Sequence, residues 1–285
     1  MSAIGPADLL RERVADDPSR PLVTFYDDCV FPDQPTPTDL PAGERVELSA
    51  KTFDNWVAKT ANLLVDGLAA EPGTRVVLAL PPHWQSAVWL MACWSAGLEA
   101  VPVGLEGIAP GTEPPGTPGP YILVAAEEVR EIMTSDRDAE ETIGLSLHAL
   151  GGPLADCPPG VLDYAVEVRS YGDRFVPDPD VTPEAPALSV TKATLSGVQL
   201  AQEAAGAAGK WGLDAHDRVL VDMPYTTLDG VLAGLLAPLA SMASVIIQRN
   251  FDKSALDRRV TVEHVTAVAG VSGWNDASGS VRRLL

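Results

Sequence analysis

His83 follows Pro81-Pro82 at the end of an apolar run, Arg75–Leu80, that predicts a buried strand. Ligands of α/β sheets bind at the C-terminal ends of strands. His83 is therefore a candidate to line a pocket, and a histidine in a surface turn has the same sequence. Other chemistry is hard to assemble. His83, His148, His216 and His264 stand singly, with no partner at ligand spacing, so no metal is expected. Cys29, Cys93 and Cys157 form no Cys-x-x-Cys pair, and Cys93 falls in an apolar stretch that suits a core. Ser95, Ser189, Ser196 and Ser272 lack the Gly-x-Ser-x-Gly elbow of a serine hydrolase. No Gly-x-Gly-x-x-Gly follows a strand, so the dinucleotide fingerprint is missing, and Gly206-Ala-Ala-Gly209 reads as helix packing.

The elements that would position these residues occur twice. Arg75–Val103 and Arg218–Ile246 both read as an apolar strand, a proline, an apolar helix and a second strand. Aligned without a gap, Pro81 falls on Pro224, Gly97 on Ala240 and Ala100 on Ala243. A Thr precedes a helical stretch ending in Gly-Leu before each copy: Thr52 to Gly67-Leu68, and Thr194 to Gly212-Leu213. Both threonines are expected to cap their helices. Strand–helix–strand is the unit of a parallel sheet covered by helices. The expected fold is α/β, with two similar lobes, each a mainly parallel sheet flanked by helices. The lobes are expected at 1–180, with a Pro/Gly-rich insert at 105–120, and at 181–285. Further strands are expected at Pro21–Tyr26, Val46–Leu48, Tyr121–Ala125, Ile143–Leu150, Tyr164–Arg169 and Val265–Val271. Helices are expected at Ala7–Asp16 and after Phe251-Asp252. Trp84, Trp89 and Trp94 recur every five residues, which is not one helix face, so some rings face a neighbour or an interface.

With 39 acidic against 20 basic residues in 285, the net charge is −19, which disfavours nucleic acid and anionic membranes. Gly230–Ile247 is uncharged and long enough to approach a membrane span. Pro238 and the β-branched Val245-Ile246-Ile247 favour a helix, a turn and a buried strand instead. The N-terminus has no basic segment and no long apolar segment, so no signal peptide is expected and a cytoplasmic location fits.

Several segments in order resemble the N-terminal domain of the adenylate-forming superfamily, which holds acyl-CoA synthetases, peptide-synthetase adenylation domains and luciferases. They are Thr52-Phe53, Pro72-Gly73-Thr74-Arg75-Val76, Pro81, Gly97 to Pro102, Asp217-Arg218-Val219, Pro224, Gly230 to Leu239, Phe251-Asp252 and Val268-Ala-Gly-Val271. The resemblance covers roughly residues 46–104 and 186–272. It implies a Ser-Gly-Thr-Thr-Gly-x-Pro-Lys loop that cradles ATP phosphates with backbone N–H groups and hydroxyls. The corresponding stretch here is Ala187-Leu-Ser-Val-Thr-Lys-Ala-Thr-Leu-Ser-Gly-Val198, with Ser189, Thr191 and Lys192 but without the glycine pattern. It predicts a strand end leading to a capped helix. Where the family places an aromatic-His turn, this chain has Pro224-Tyr225-Thr226-Thr227, with Thr227 at the histidine's place. The family's Tyr-Gly-x-Thr-Glu segment, ribose-binding Asp, hinge and C-terminal catalytic Lys would all come after Leu285. The expectation is therefore a truncated, acyl-CoA-synthetase-like protein, not competent for adenylation alone, with a binding or interaction role. It has no catalytic residue, metal or cofactor, and Tyr225, Thr227 and His83 are its remaining cofactor-binding candidates. Its expected partner is another protein or a second copy. The alternative is an AMP-binding ligase that activates an acyl or aryl acid, through residual activity or completed by a partner chain.

Overall fold

The computed structural model describes residues 4–28, 44–105, 120–135, 138–191, 193–250, 252–274, 276 and 279–285. The chain opens with α1 (Pro6–Asp16), whose Asp8 carboxylate accepts the Gly5 amide at 2.8 Å. Next come β1 (Pro21–Asp27), β2 (Glu44–Ser49) and α2 (Ala50–Asn62), which finishes in a π-turn at Leu63–Gly67. Then follow β3 (Arg75–Ala79), α3 (Trp84–Ser95), β4 (Glu99–Pro102), β5 (Tyr121–Ala126), α4 (Arg130–Ser135), β6 (Ala139–Leu145), β7 (Leu162–Asp163) and α5 (Tyr164–Glu167). The remainder is β8 (Pro186–Val190), β9 (Ala193–Ser196), α6 (Gly197–Trp211), β10 (Arg218–Val221), α7 (Leu228–Val231), α8 (Ala237–Ala240), β11 (Ser244–Arg249), α9 (Leu256–Val262), β12 (Ala267–Ala269) and β13 (Arg282–Arg283).

These strands form two sheets, ordered β7-β6-β5-β3-β4-β8-β9 and β13-β12-β10-β11-β1-β2. All pairings are parallel except the hairpins β1–β2 and β8–β9. Every residue of β5 is buried, as expected of a strand covered on both faces. In α3, Trp84 to Trp94 are buried on all sides, because the helix lies between β1 of one sheet and β3 and β4 of the other. α1 packs against α2, α3, α6 and α8, joining the helices of both halves.

The internal repeat extends to five strands: β5-β3-β4-β8-β9 matches β12-β10-β11-β1-β2. Both hairpins open on a proline paired with a serine, Pro21 with Ser49 and Pro186 with Ser196. Each then shifts register at the next pair. Each serine caps the following helix: Ser49 Oγ accepts from the Thr52 amide at 3.1 Å, and Ser196 Oγ from the Gln199 amide at 3.3 Å. The caps are therefore Ser49 and Ser196, not Thr52 and Thr194. Thr52 is the donor within the first turn, and Thr194 belongs to β9. Each hairpin pairs with the sheet of the opposite half. β1 lies beside β11 and β8 beside β4.

The two copies are not gapless. His83 and Thr227 both precede their helices, and Gly97 (φ 72°) and Met242 (φ 62°) both end them in the left-handed region. One residue is gained between Pro224 and Thr227. A second is gained inside the helix, where a π-turn at Leu232–Leu236 absorbs it. Gly97 therefore matches Met242, not Ala240, and Ala100 matches Val245, not Ala243. The slip of two restores strand register because side chains alternate with period two.

Other expectations need correction. Tyr164–Arg169 is not a strand. Asp163 accepts amides from Ala165 and Val166, which caps a short helix there. The expected strand at Ile143–Leu150 starts earlier and stops at Leu145, and the tail forms β13 beside β12. Gly230–Ile247 is a broken helix, a turn and β11, and no helix among the described residues is long and apolar enough to cross a membrane. Cys29, Lys192 and Phe251 lie outside the described residues, as does most of the 105–120 insert.

Candidate functional site

His83 is not in a surface turn. It is fully buried, and Phe25 of β1 sits edge-on to its ring at 4.2 Å. Its Nδ1 accepts from the Gln85 amide at 3.0 Å and caps α3, so the proton of the neutral ring sits on Nε2. Nε2 faces the Leu147 carbonyl without completing a hydrogen bond. Burial, with the Arg249 charge second, pushes His83 well below the ordinary imidazole range. A neutral buried imidazole of this kind holds a helix start in place and does not meet solvent.

Thr227 stands at the matching place in the second copy and is exposed. Its Oγ1 accepts from the Gly230 amide at 3.1 Å and caps α7. Tyr225 does not line a cleft. It is 4% exposed and donates its hydroxyl to the Gly234 carbonyl at 3.2 Å. Burial raises its pKa far above the ordinary phenol value. Gly234 is required beneath the ring, because a Cβ there would lie 2.9 Å from Tyr225 Cε1. The three candidates thus serve as two helix caps and a core side chain, and they do not converge on one space.

The stretch that corresponds to a phosphate loop is the hairpin β8–β9. Val190 pairs with Ala193, which leaves two residues for the turn. Ser189 donates its hydroxyl to Glu99 at 2.5 Å and lies 2.7 Å from the Thr194 hydroxyl. Ser196 and Gln199 satisfy each other reciprocally: Ser196 Oγ caps the Gln199 amide while Gln199 Oε1 accepts the Ser196 amide at 2.9 Å. The hydroxyls of Ser189, Thr194 and Ser196 are committed internally.

Three cores of charge and aromaticity lie elsewhere. On the second sheet, Glu263 accepts from Tyr26, from Arg218 and from Arg45 (2.8 Å). Burial would raise the Glu263 pKa, but hydrogen bonds from Arg45 and Tyr26 and the Arg218 charge overcome it and hold the carboxylate low. The same burial and the Glu263 hydrogen bond push Tyr26 to about 12. Beside it, Arg259 grips Asp28 with two bonds, at 2.6 and 3.1 Å, with its guanidinium 4.1 Å above the Tyr26 ring. The third core is a run of rings, Phe25–His83–Trp84–Trp56–Tyr164–Trp89, spaced 4.2 to 6.5 Å apart. Of the three spaced tryptophans, Trp84 and Trp94 donate their indole N–H groups to Ala149 and Ala187 carbonyls, and all three are buried. Sequence periodicity missed this run because its rings come from β1, α2, α3 and α5. No group of three or more His, Cys, Asp or Glu among the described residues could hold a metal.

A pair of mainly parallel sheets flanked by helices is a fold this chain shares with acyl-CoA synthetases. The chain superposes on the acetoacetyl-CoA synthetase of Streptomyces lividans with a TM-score of 0.73 and 16% identity, covering 93% of this chain and 42% of that one. An acyl-CoA synthetase of Brucella canis gives 0.70 and 14%, covering 94% and 47%. The anthranilate CoA ligase AuaEII, in complex with anthranoyl-AMP, gives 0.70 and 13%, covering 95% and 49%. The chain therefore spans about half the length of these enzymes. No family model matches it. It is 38% identical over 255 residues to the TIGR03089 family protein of Mycobacterium tuberculosis, covering 88% of this chain and 92% of that one. The chain belongs to the TIGR03089 family.

Proposed function

We propose that this protein uses half of an acyl-CoA-synthetase fold for binding and does not adenylate a carboxylic acid by itself. The observation that carries the reading is the hairpin β8–β9. A two-residue turn leaves no loop to wrap a triphosphate, and Ser189, Thr194 and Ser196 hydrogen-bond within the protein. Adenylation needs donors preorganised around the developing phosphoryl charge, and donors engaged elsewhere cannot supply them. His83, Tyr225 and Thr227 add nothing to such a site, since two are buried and the third caps a helix.

The test is ATP–pyrophosphate exchange by the full chain with a panel of acyl and aryl acids and Mg²⁺. No exchange above a boiled-protein control is expected. Exchange with any acid would overturn the reading and favour the ligase alternative.

A further inference from the structure

Thr52, Asn55, Trp56 and Lys59 lie on one face of α2 at helical spacing, and with Arg169 they line a groove of about 330 Å³. We propose that this groove binds a small aromatic anion, its ring against Trp56 and its carboxylate or phosphate facing Lys59 and Arg169. The proposal gives the binding role above a place and a ligand class. It rests on that role, while its readout is independent of the exchange assay.

Charge is the first argument. The chain carries −19, and many of its described cations lie against carboxylates, as Arg259 does on Asp28 and Arg130 on Asp156. Lys59 and Arg169 do not. Lys59 donates to the Tyr171 carbonyl and Arg169 Nη2 to the Gly151 carbonyl at 3.1 Å. A carbonyl fixes a cation's position without cancelling its charge, so two positive groups are held beside one cavity in an acidic protein. An anion that reaches both gains charge-assisted hydrogen bonds.

The aromatic wall is the second. Trp56 is half-buried and braced from behind by Trp84 at 5.3 Å (61°) and by Tyr164 at 6.5 Å. A braced ring presents a fixed apolar surface and loses little freedom when a ligand stacks on it. Size then limits the ligand. The cavity lies near the small end of ligand pockets, enough for a single ring and its acid group.

The experiment titrates the full chain with benzoate and with phenyl phosphate by calorimetry, at low and high salt. Benzamide, which keeps the ring without the charge, and inorganic phosphate, which has no ring, are the controls. Saturable binding of at least one aromatic anion is expected, weakened by salt, with neither control binding as well. Which anion binds tells carboxylate from phosphate. The double variant K59Q/R169Q, altered only at side chains that reach solvent, should raise Kd at least tenfold while keeping a cooperative melt, with only the small drop in melting temperature that two lost carbonyl hydrogen bonds bring. W56L should weaken the ring-bearing ligands further. Absence of saturation by both anions, equal binding of benzamide, or a Kd indifferent to K59Q/R169Q would overturn the proposal. Because the titration uses no ATP, its failure leaves the exchange result standing, and the reverse also holds.

Discussion

His83 and Thr227 hold the same position in two copies of one motif. Each accepts a backbone hydrogen bond from the helix it precedes, Gln85 to His83 Nδ1 at 3.0 Å and Gly230 to Thr227 Oγ1 at 3.1 Å. Their surroundings differ. Thr227 is exposed, while His83 is closed in by Phe25 from the hairpin of the opposite sheet. Both copies carry an exchanged hairpin, so the difference lies in the side chain that hairpin brings to the cap, Phe25 over His83.

That burial has a pH signature. The folded pKa of His83 lies well below its unfolded value of about 6.5. As pH falls through about 6.5, the unfolded chain takes up this proton and the folded chain does not. Stability thus decreases towards acid, by up to ~1.4 kcal/mol per pH unit from this group, and is fully retained above that range. His83→Asn keeps a capping side chain and cannot titrate. Urea melts of both proteins at about pH 7.5 and 5.5 should show a flatter pH dependence for the variant. Equal slopes would mean that His83 charges in the folded state.

Tyr225 separates core from cleft. Tyr225→Phe removes only the bond to the Gly234 carbonyl and should cost about 1 kcal/mol. Tyr225→Ala removes a ring packed on Gly234 and should cost about 3–5 kcal/mol. Thr227→Ala should cost about 1 kcal/mol through the lost cap. Denaturant midpoints measure all three, and a near-neutral Tyr225→Ala would contradict its burial.

Much of the fold was legible because strand, proline, helix and strand leave strong local patterns: Arg75–Ala79 and Arg218–Val221 are mostly apolar runs, and both helices are mostly apolar. The caps were misread by two or three positions. Ser49 and Ser196 are each followed closely by other residues with helical spacing, and only the register of the hairpin marks which residue stops being strand. The two gained residues were invisible because a π-turn leaves no composition signal. His83 could not be placed from its own neighbourhood, since the ring that buries it, Phe25, lies 58 positions earlier in a different sheet. The Trp56 groove is half legible: Asn55, Trp56 and Lys59 share a helix face in the sequence. Arg169 comes from a stretch that resembles a strand and folds as a helical turn.

The exchanged hairpins also bear on how the lobes fold. A fragment of residues 1–184 keeps β1 and β2 but has no β11 for them to pair with, and its own β4 loses β8. A fragment of residues 185–285 has the converse defect. Each exposes unpaired strand edges and the apolar face of a buried helix, a recipe for aggregation. We expect neither fragment to give a cooperative melt alone and the two to form a soluble complex when co-expressed. A cooperative transition from either single fragment would show that the lobes are independent after all.

Asp28 and Arg259 tie the end of β1 to α9. Arg259 Nη1 and Nη2 both reach the Asp28 carboxylate, which also accepts the Asp252 amide at 2.9 Å, while the guanidinium stacks over Tyr26 and meets Gln248. Both side chains are almost wholly buried, at 4% and 2% exposure. Arg259→Met leaves the Asp28 charge buried with only the Asp252 amide, and should cost about 3–5 kcal/mol. Arg259→Lys keeps the charge but loses the two-pronged grip and the flat stacking surface, so it should recover only part of that. Asp28→Asn with Arg259→Met removes both charges together and should be less damaging than the sum of the single changes, since neither partner is stranded. Denaturant melts of the four proteins give the coupling directly. Additive losses, or an Arg259→Met cost below about 1 kcal/mol, would show that the pair is solvated and does not hold α9 in place.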